Sequence, residues 1–134
     1  MYTSHLKARR EHMKRLILLA LLCTLLSACS INESKLSFSE LKIVPNEIQT
    51  KINPDNTLQL INTKDKVAYV VYQSKKTVAT DLEEQGDTLK IKLNESKTHK
   101  KTKQHVYKLT LDPEHKIIDV YVNGKSTAFD NVTN

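Results

Sequence analysis

From about residue 57 onward, apolar and polar residues alternate with a period of two, and turn residues divide the alternation into short runs. That pattern predicts antiparallel strands rather than helices. Val122-Asn123-Gly124-Lys125 carries Asn-Gly, the strongest short-range hairpin signal, and pairing 122 with 125 sets Val120 opposite Thr127 and Ile118 opposite Phe129. Upstream, Asp112-Pro113-Glu114-His115 reads as a turn with Pro preset for its second position. Pairing 111 with 116 then sets Leu109 against Ile118, Tyr107 against Val120 and His105 against Val122. Both turns place Ile118, Val120 and Val122 on one face, as the pleat requires. The other face pairs Lys108 with Asp119 and Val106 with Tyr121, an outward and partly polar set.

Residues 83–88 (E-E-Q-G-D-T) connect two more strands, with Leu82 opposite Leu89, Thr80 opposite Ile91 and Val78 opposite Leu93. Asn62-Thr63-Lys64-Asp65 joins 57–61 to 66–74, facing Leu60 with Val67 and Leu58 with Tyr69. Residues 67–72 are apolar on both faces, so a further element must cover the second face, and 38–44 is the nearest candidate. Residues 45–54 are ambiguous: Ile48 and Ile52 fit helical i, i+4 spacing, yet prolines bracket them. The expected fold is mostly all-β: a small antiparallel meander forming a sandwich or a partly closed barrel.

One segment breaks the alternation. Residues 16–26 form an unbroken apolar and small run behind Lys14 and Arg15. It is too short for a span of about 20 residues and suits the core of a helical, cleaved secretory signal. The run ends in Leu26-Ser27-Ala28-Cys29, which resembles the lipobox of bacterial lipoproteins. The resemblance implies cleavage between Ala28 and Cys29, with a diacylglycerol on the Cys29 sulfur. Two acyl chains hold a protein stably where one would not. The expected organisation is a signal over 1–28, a lipidated Cys and tether over 29–37, and a single β-rich domain over 38–134. Residues 1–12 are an extended basic start or precede the true first residue, Met13. The expected location is the outer side of a cell membrane, with the lipid bilayer held through acylated Cys29.

The signal also changes the charge. Of the 21 basic residues, Lys7, Arg9, Arg10, Lys14 and Arg15 lie before Cys29, as does the acid Glu11. Residues 29–134 carry 16 Lys, no Arg and 14 acids, a net +2 in place of +6. An exported domain without Arg is ill-suited to reading bases, so nucleic acid is not an expected partner. Cys23 leaves with the signal and an acylated Cys29 has no thiol, so neither a disulfide nor a thiolate metal site is expected.

Chemical motifs are scarce. Both glycines, Gly86 and Gly124, sit in turns, which leaves no phosphate cradle, and there is no nucleophile elbow, H-E-x-x-H or C-x-x-C. No enzyme activity, cofactor or metal site is expected. His105 and His115 flank one strand and stand too far apart to share a metal, whereas His99 with His105 and a carboxylate stays geometrically open. The one charge cluster, Lys97-Thr98-His99-Lys100-Lys101-Thr102-Lys103, is expected to be a long loop between strands. Two functions are suggested by different features. The first is a non-enzymatic binding or accessory module for an envelope protein partner, docking through an outward patch at Val106 and Tyr121. The second is a ligand-binding module for a metal or an anionic envelope polymer, held by Lys97, His99, Lys100, Lys101 and Lys103.

Overall fold

A computed structural model describes residues 36–134; the signal and Cys29 lie outside the described residues. The elements are β1 (Ser37–Glu40), α1 (Asn46–Gln49), β2 (Leu58–Asn62), β3 (Val67–Gln85), β4 (Thr88–Thr110), β5 (Ile117–Val122), β6 (Lys125–Thr127) and β7 (Asn131–Thr133). The fold is mostly β, a single sheet curled into a half-barrel in the order β6-β5-β4-β3-β2-β7, with β1 also on β4.

The long β3–β4 hairpin dominates it. Gly86-Asp87 closes the hairpin between Gln85 and Thr88, and Gly86 takes φ +58°, which a side chain would resist. Further along, Lys75 alone faces four residues of β4, between the Ser74–Lys103 and Lys76–Thr98 pairs. Thr77 then faces two, between Lys76–Thr98 and Val78–Glu95. Extra residues on one side bend and twist a ribbon, and here the hairpin curls back over itself. The segment 97–103 is therefore bulged strand and not the expected loop. It contains no Gly or Pro to end pairing, so its surplus length is absorbed within β4.

Curling brings both halves of the hairpin onto one core. Leu58 and Leu60 of β2, and Ala68, Val70 and Tyr72 of β3, pack with Leu89, Ile91, Leu93, Tyr107 and Leu109 of β4 and Val120 of β5. A second cluster lies on the outer face of 67–72, where Ile61, Tyr69, Val71 and Val106 are covered by Ile48, with Leu41, Val44 and Ile52 against them. The second face of this strand thus has its cover: Leu41 and Val44 from the expected stretch, plus the turn of helix at Ile48. Phe38 goes instead to the first cluster, stacked 5.0 Å from Tyr107.

Three expected registers are corrected. β5 does not pair antiparallel with 105–111. It runs parallel to the opposite end of β4, with Leu89 opposite Ile118, Ile91 opposite Val120 and Leu93 opposite Val122. The alternation at 118, 120 and 122 is satisfied by either partner, and the curl brings the start of β4 beside the chain leaving its end. The N–H groups of Lys116 and Ile117 both donate to the Asp87 carbonyl, fixing this crossing. With β2–β7 also parallel, the sheet is mixed and not a meander.

The second correction is a shift by two: Leu82 faces Ile91 and Thr80 faces Leu93, because the loop is only two residues long. An even shift leaves every side chain on its face. The third is a shift by three, with Leu60 opposite Val70 and Leu58 opposite Tyr72, which swaps faces. Its cause is a loop closed by Thr63, whose N–H and Oγ1 both donate to the Val67 carbonyl at 2.9 and 2.6 Å, with Lys66 at φ 57°. The Asn123-Gly124 hairpin is as expected, with Val120 opposite Thr127 and both turn residues at positive φ. β6 stops at Thr127, so Phe129 reaches the core without a ladder partner at Ile118. Asp130 ties the chain end down, its Oδ2 accepting the N–H groups of Thr57 and Leu58 at 3.0 and 2.9 Å.

Candidate functional site

The bend in the hairpin opens a cleft. Ser74, Lys76, Thr77 and Val78 of β3, His99, Lys101, Lys103 and His105 of β4, and Glu40 of β1 line a cavity of about 460 Å³. The alternation explains the membership from β4: Lys103, His105, Tyr107 and Leu109 share one face, and the polar pair continues the line of the core residues beyond its end. Ser74 and Tyr72 face Lys103 and His105 directly across the ladder.

His105 is the most buried cleft residue, 4% exposed. Its Nδ1 lies 2.8 Å from the Glu40 carboxylate, and its ring stacks parallel to Tyr107 with centroids 6.1 Å apart. A carboxylate accepts only, so Nδ1 carries the hydrogen. Nε2 is buried with no hydrogen-bond partner among the described residues, and the same is true of the Tyr107 hydroxyl. A buried polar atom without a partner is costly, and this one belongs to a ring at the wall of a cleft. Lys103 Nζ stands 3.7 Å from the same Glu40 oxygen yet stays largely exposed. His99 Nε2 is 2.7 Å from Thr77 Oγ1. Lys76, Lys101 and Lys103 against Glu40 leave the cleft cationic. Lys97 and Lys100 are exposed and do not line it.

A clasp closes the floor beside the cleft. Ser74 Oγ donates to Glu95 Oε2 at 2.5 Å and Asn123 Nδ2 donates to Glu95 Oε1 at 2.9 Å. The Glu95 N–H returns a bond to Asn123 Oδ1 at 2.8 Å. The Ser74 bond, above all, holds the Glu95 carboxyl below the usual carboxylate range. Burial, with the Glu95 charge behind it, pushes the Tyr72 hydroxyl up to about 12. Burial likewise pushes the Tyr107 hydroxyl well above the ordinary tyrosine value. These groups stay in one protonation state across physiological pH and serve to hold the cleft's shape.

The structure lines one cleft with His99, Lys101, Lys103, His105 and Glu40, but it does not gather His99, His105 and Glu40 into a group of ligand atoms within 4.8 Å of one another. It does not bring Val106 and Tyr121 together. Val106 faces Val71 and is 1% exposed, under the α1 side of the sheet. Tyr121 faces Lys92 and Ser126, half-buried, with Lys90 Nζ 5.2 Å from its ring centroid. Sequence reasoning missed Glu40, Ser74, Lys76 and Thr77 as cleft residues. For Ser74 and Lys76 the signal was present, since they continue the inward 70, 72 alternation of β3. Nothing local marks Glu40, which arrives through a strand paired from far along the chain.

A second polar group sits at the hairpin tip, where donor atoms of Glu84, Asp112 and His115 lie within 4.8 Å of one another. Asp112 Oδ1 accepts both the His115 Nδ1–H at 2.5 Å and the His115 backbone N–H at 3.1 Å. Glu84 stands 4.0 Å from Nε2. The bond to Asp112 raises the His115 pKa above the ordinary value. Burial works to raise Asp112, but the bonds from His115 outweigh it and lower the carboxyl. With Nδ1 committed to Asp112, the group acts as an ionic tie between the tip and the 111–116 connection.

Among the described residues no helix is long and apolar enough to cross a membrane. No family model, curated protein or solved structure matches the chain. The cleft therefore has to be read from its own chemistry.

Proposed function

We propose that this chain is a lipid-anchored, extracytoplasmic binding module, non-enzymatic, that takes an anionic group at the mouth of its half-barrel. The observation that carries the reading is His105: a carboxylate-oriented ring, 4% exposed, with an unpartnered Nε2 at a cleft that also holds Lys76, Lys101 and Lys103. The lysines supply charge at the rim, and a phosphate or carboxylate offers the acceptors they need. The anchor at Cys29 would hold this cleft within reach of anionic envelope polymers.

Titration of the full chain with inorganic phosphate and with a linear polyphosphate tests it. Saturable binding is expected, weakened at least fivefold by Lys101→Gln with Lys103→Gln, and weakened again by raised salt. Binding absent, or indifferent to salt and to both substitutions, overturns the reading. The anchor is checked separately, by whether Cys29→Ala moves the chain from the membrane to the soluble fraction.

An envelope protein partner is the second reading. It is supported by Tyr121, a partly exposed aromatic whose ring meets Lys90 on a strand face. It expects Tyr121→Ala to abolish a cross-link to one envelope protein while the fold is kept.

A further inference from the structure

We propose that the free edge of β3, between Lys75 and Gln85, pairs antiparallel with the same edge of a second copy of this chain. β2 covers β3 only from Ala68 to Tyr72, and Gln73 is met by the Thr57 carbonyl. Beyond that point, among the described residues, β4 is the sole strand beside β3. Two observations tell which backbone groups face outward. Gln85 and Thr88 flank a two-residue loop, so they form a mutually bonded pair, and 83, 81 and 79 follow it inward. Residues 78, 80, 82 and 84 therefore turn their N–H and C=O groups away from β4. Consistently, the Leu82 N–H bonds to the Asp81 side chain at 2.9 Å, the substitute of an edge that lacks a strand.

The edge reads K-K-T-V-A-T-D-L-E-E-Q, basic at one end and acidic at the other. A two-fold axis at Thr80 sets Thr80 against itself, Val78 against Leu82, and Lys76 against Glu84. Val78, Thr80, Leu82 and Glu84 are outward-bonding positions, whereas the Lys76 N–H is held by Ser74 Oγ at 2.9 Å, so the register satisfies the backbone from 78 to 82 and pairs Lys76 with Glu84 through their side chains. On the other face Thr77 meets Glu83, Ala79 meets Asp81, and Lys75 lies diagonal to Glu83. Asp81 releases the Leu82 N–H, and the Val78 carbonyl of the second copy takes it. Lys76 and Glu84 are both exposed, and Glu84 stands no nearer than 4.0 Å to the His115 Nε2, so the two side chains can meet across the axis.

The open edge of β4 makes the opposite case. Lys97, His99, Lys100, Lys101 and Lys103 crowd it with one sign of charge, so two copies repel there. One edge of the hairpin is self-complementary and the other self-excluding, which selects a closed two-fold pair over an open fibre. A single ladder buries little apolar area, so the association is weak and concentration-dependent. Confinement to a surface would favour it.

The test is oxidative cross-linking of the full chain bearing one added cysteine, with the parent chain setting the background from Cys23 and Cys29. Thr80→Cys is expected to give a disulfide dimer at least threefold above both the parent and Lys101→Cys. Ala79→Cys copies mixed with Asp81→Cys copies should exceed either by itself. With the Thr80→Cys reporter, Lys76→Glu and Glu84→Lys each should cut the yield at least threefold. Mixing those two chains should restore it, because opposite charges then meet at both ends, and restoration also shows that each variant folds. Yields independent of position, a failure of the mixture to recover, or capture of position 80 by the chain's own N-terminal residues would each overturn the proposal.

Discussion

The two halves of the β3–β4 hairpin belong to the same two strands, yet they live in different surroundings. In the half next to β2, residues 68–72 of β3 are buried without interruption, because the half-barrel interior lies on one face and Ile48, Leu41 and Val44 on the other. In the half beyond the bend, only the inward positions of β4 are buried, at Leu89, Ile91 and Leu93, and β3 is mostly exposed. Burial here is decided by what the bend and the flanking segments bring over a strand, and not by the strand's own length or alternation. A half with one covered face keeps a free edge and tolerates charge; a half with two covered faces cannot.

One charge placed on the outer face of each half should separate them most forcefully. Val71→Asp puts a carboxylate under the α1 cover, where Val71 is 0% exposed, and should cost about 4 kcal/mol or more. Ala79→Asp, on the same face beyond the bend, should change stability by less than about 0.5 kcal/mol. Denaturant unfolding of the full chain checks both; equal effects would mean that the two halves do not differ in cover. Truncating inward side chains gives a smaller contrast. Leu109→Ala removes a fully buried group and should cost about 2–5 kcal/mol, whereas half-buried Leu82→Ala should cost about 1 kcal/mol.

The loops at the two ends of β3 add a finer contrast. Lys66 holds φ 57° with a side chain that disfavours it, so Lys66→Gly should stabilise by about 0.5–1 kcal/mol. Gly86→Ala meets no atom within 4 Å, yet it should cost about 1 kcal/mol for the conformation alone. Thermal melts of the two variants should therefore shift in opposite directions.

The smallest expected effect is on pH. The His115 pKa is raised from 6.5, so its stabilising bond is complete below that value and is lost as pH climbs through the higher folded value. Asp112 is lowered from 3.8, so its share is present above that value and is lost as pH falls through the lower folded value. The tip should be most firmly tied between about pH 4 and 6.5 and loosen at higher pH. Once the base-catalysed intrinsic rate is divided out, hydrogen-exchange protection at residues 84–89 should fall as pH climbs through the raised His115 value, and Asp112→Asn should remove that fall.

Much of the sheet was legible because its signals are local. Asn123-Gly124 names its own hairpin, and Gly86 its own loop. The alternation at 118, 120 and 122 placed those side chains on the correct face even while their partner strand was misassigned. The misassignment has a physical cause: period two says which face a residue takes, but not which strand lies beside it, and Leu89, Ile91 and Leu93 satisfy β5 as well as 105–111 would. The β2–β3 register failed because Lys66 takes a left-handed conformation that its residue type does not announce. In the cleft, the clustered charge at 97–103 was plain, but its form as bulged strand was not, and Glu40 could not be placed from any neighbouring residue.

The order of residues thus settles what local sterics and alternation can settle: strands over helices, which residues turn, which side chains share a face, and where positive charge collects. The remainder belongs to the folded chain. The bulges opposite Lys75 and Thr77 bend the hairpin, and that bend chooses the partner of β5, sets Glu40 against His105, leaves Nε2 buried and unpartnered beside a cationic cleft, and exposes one edge of β3. Each of these depends on contacts between residues far apart in the chain, whose free energy is shared across the whole curl and so is written in no single stretch of it.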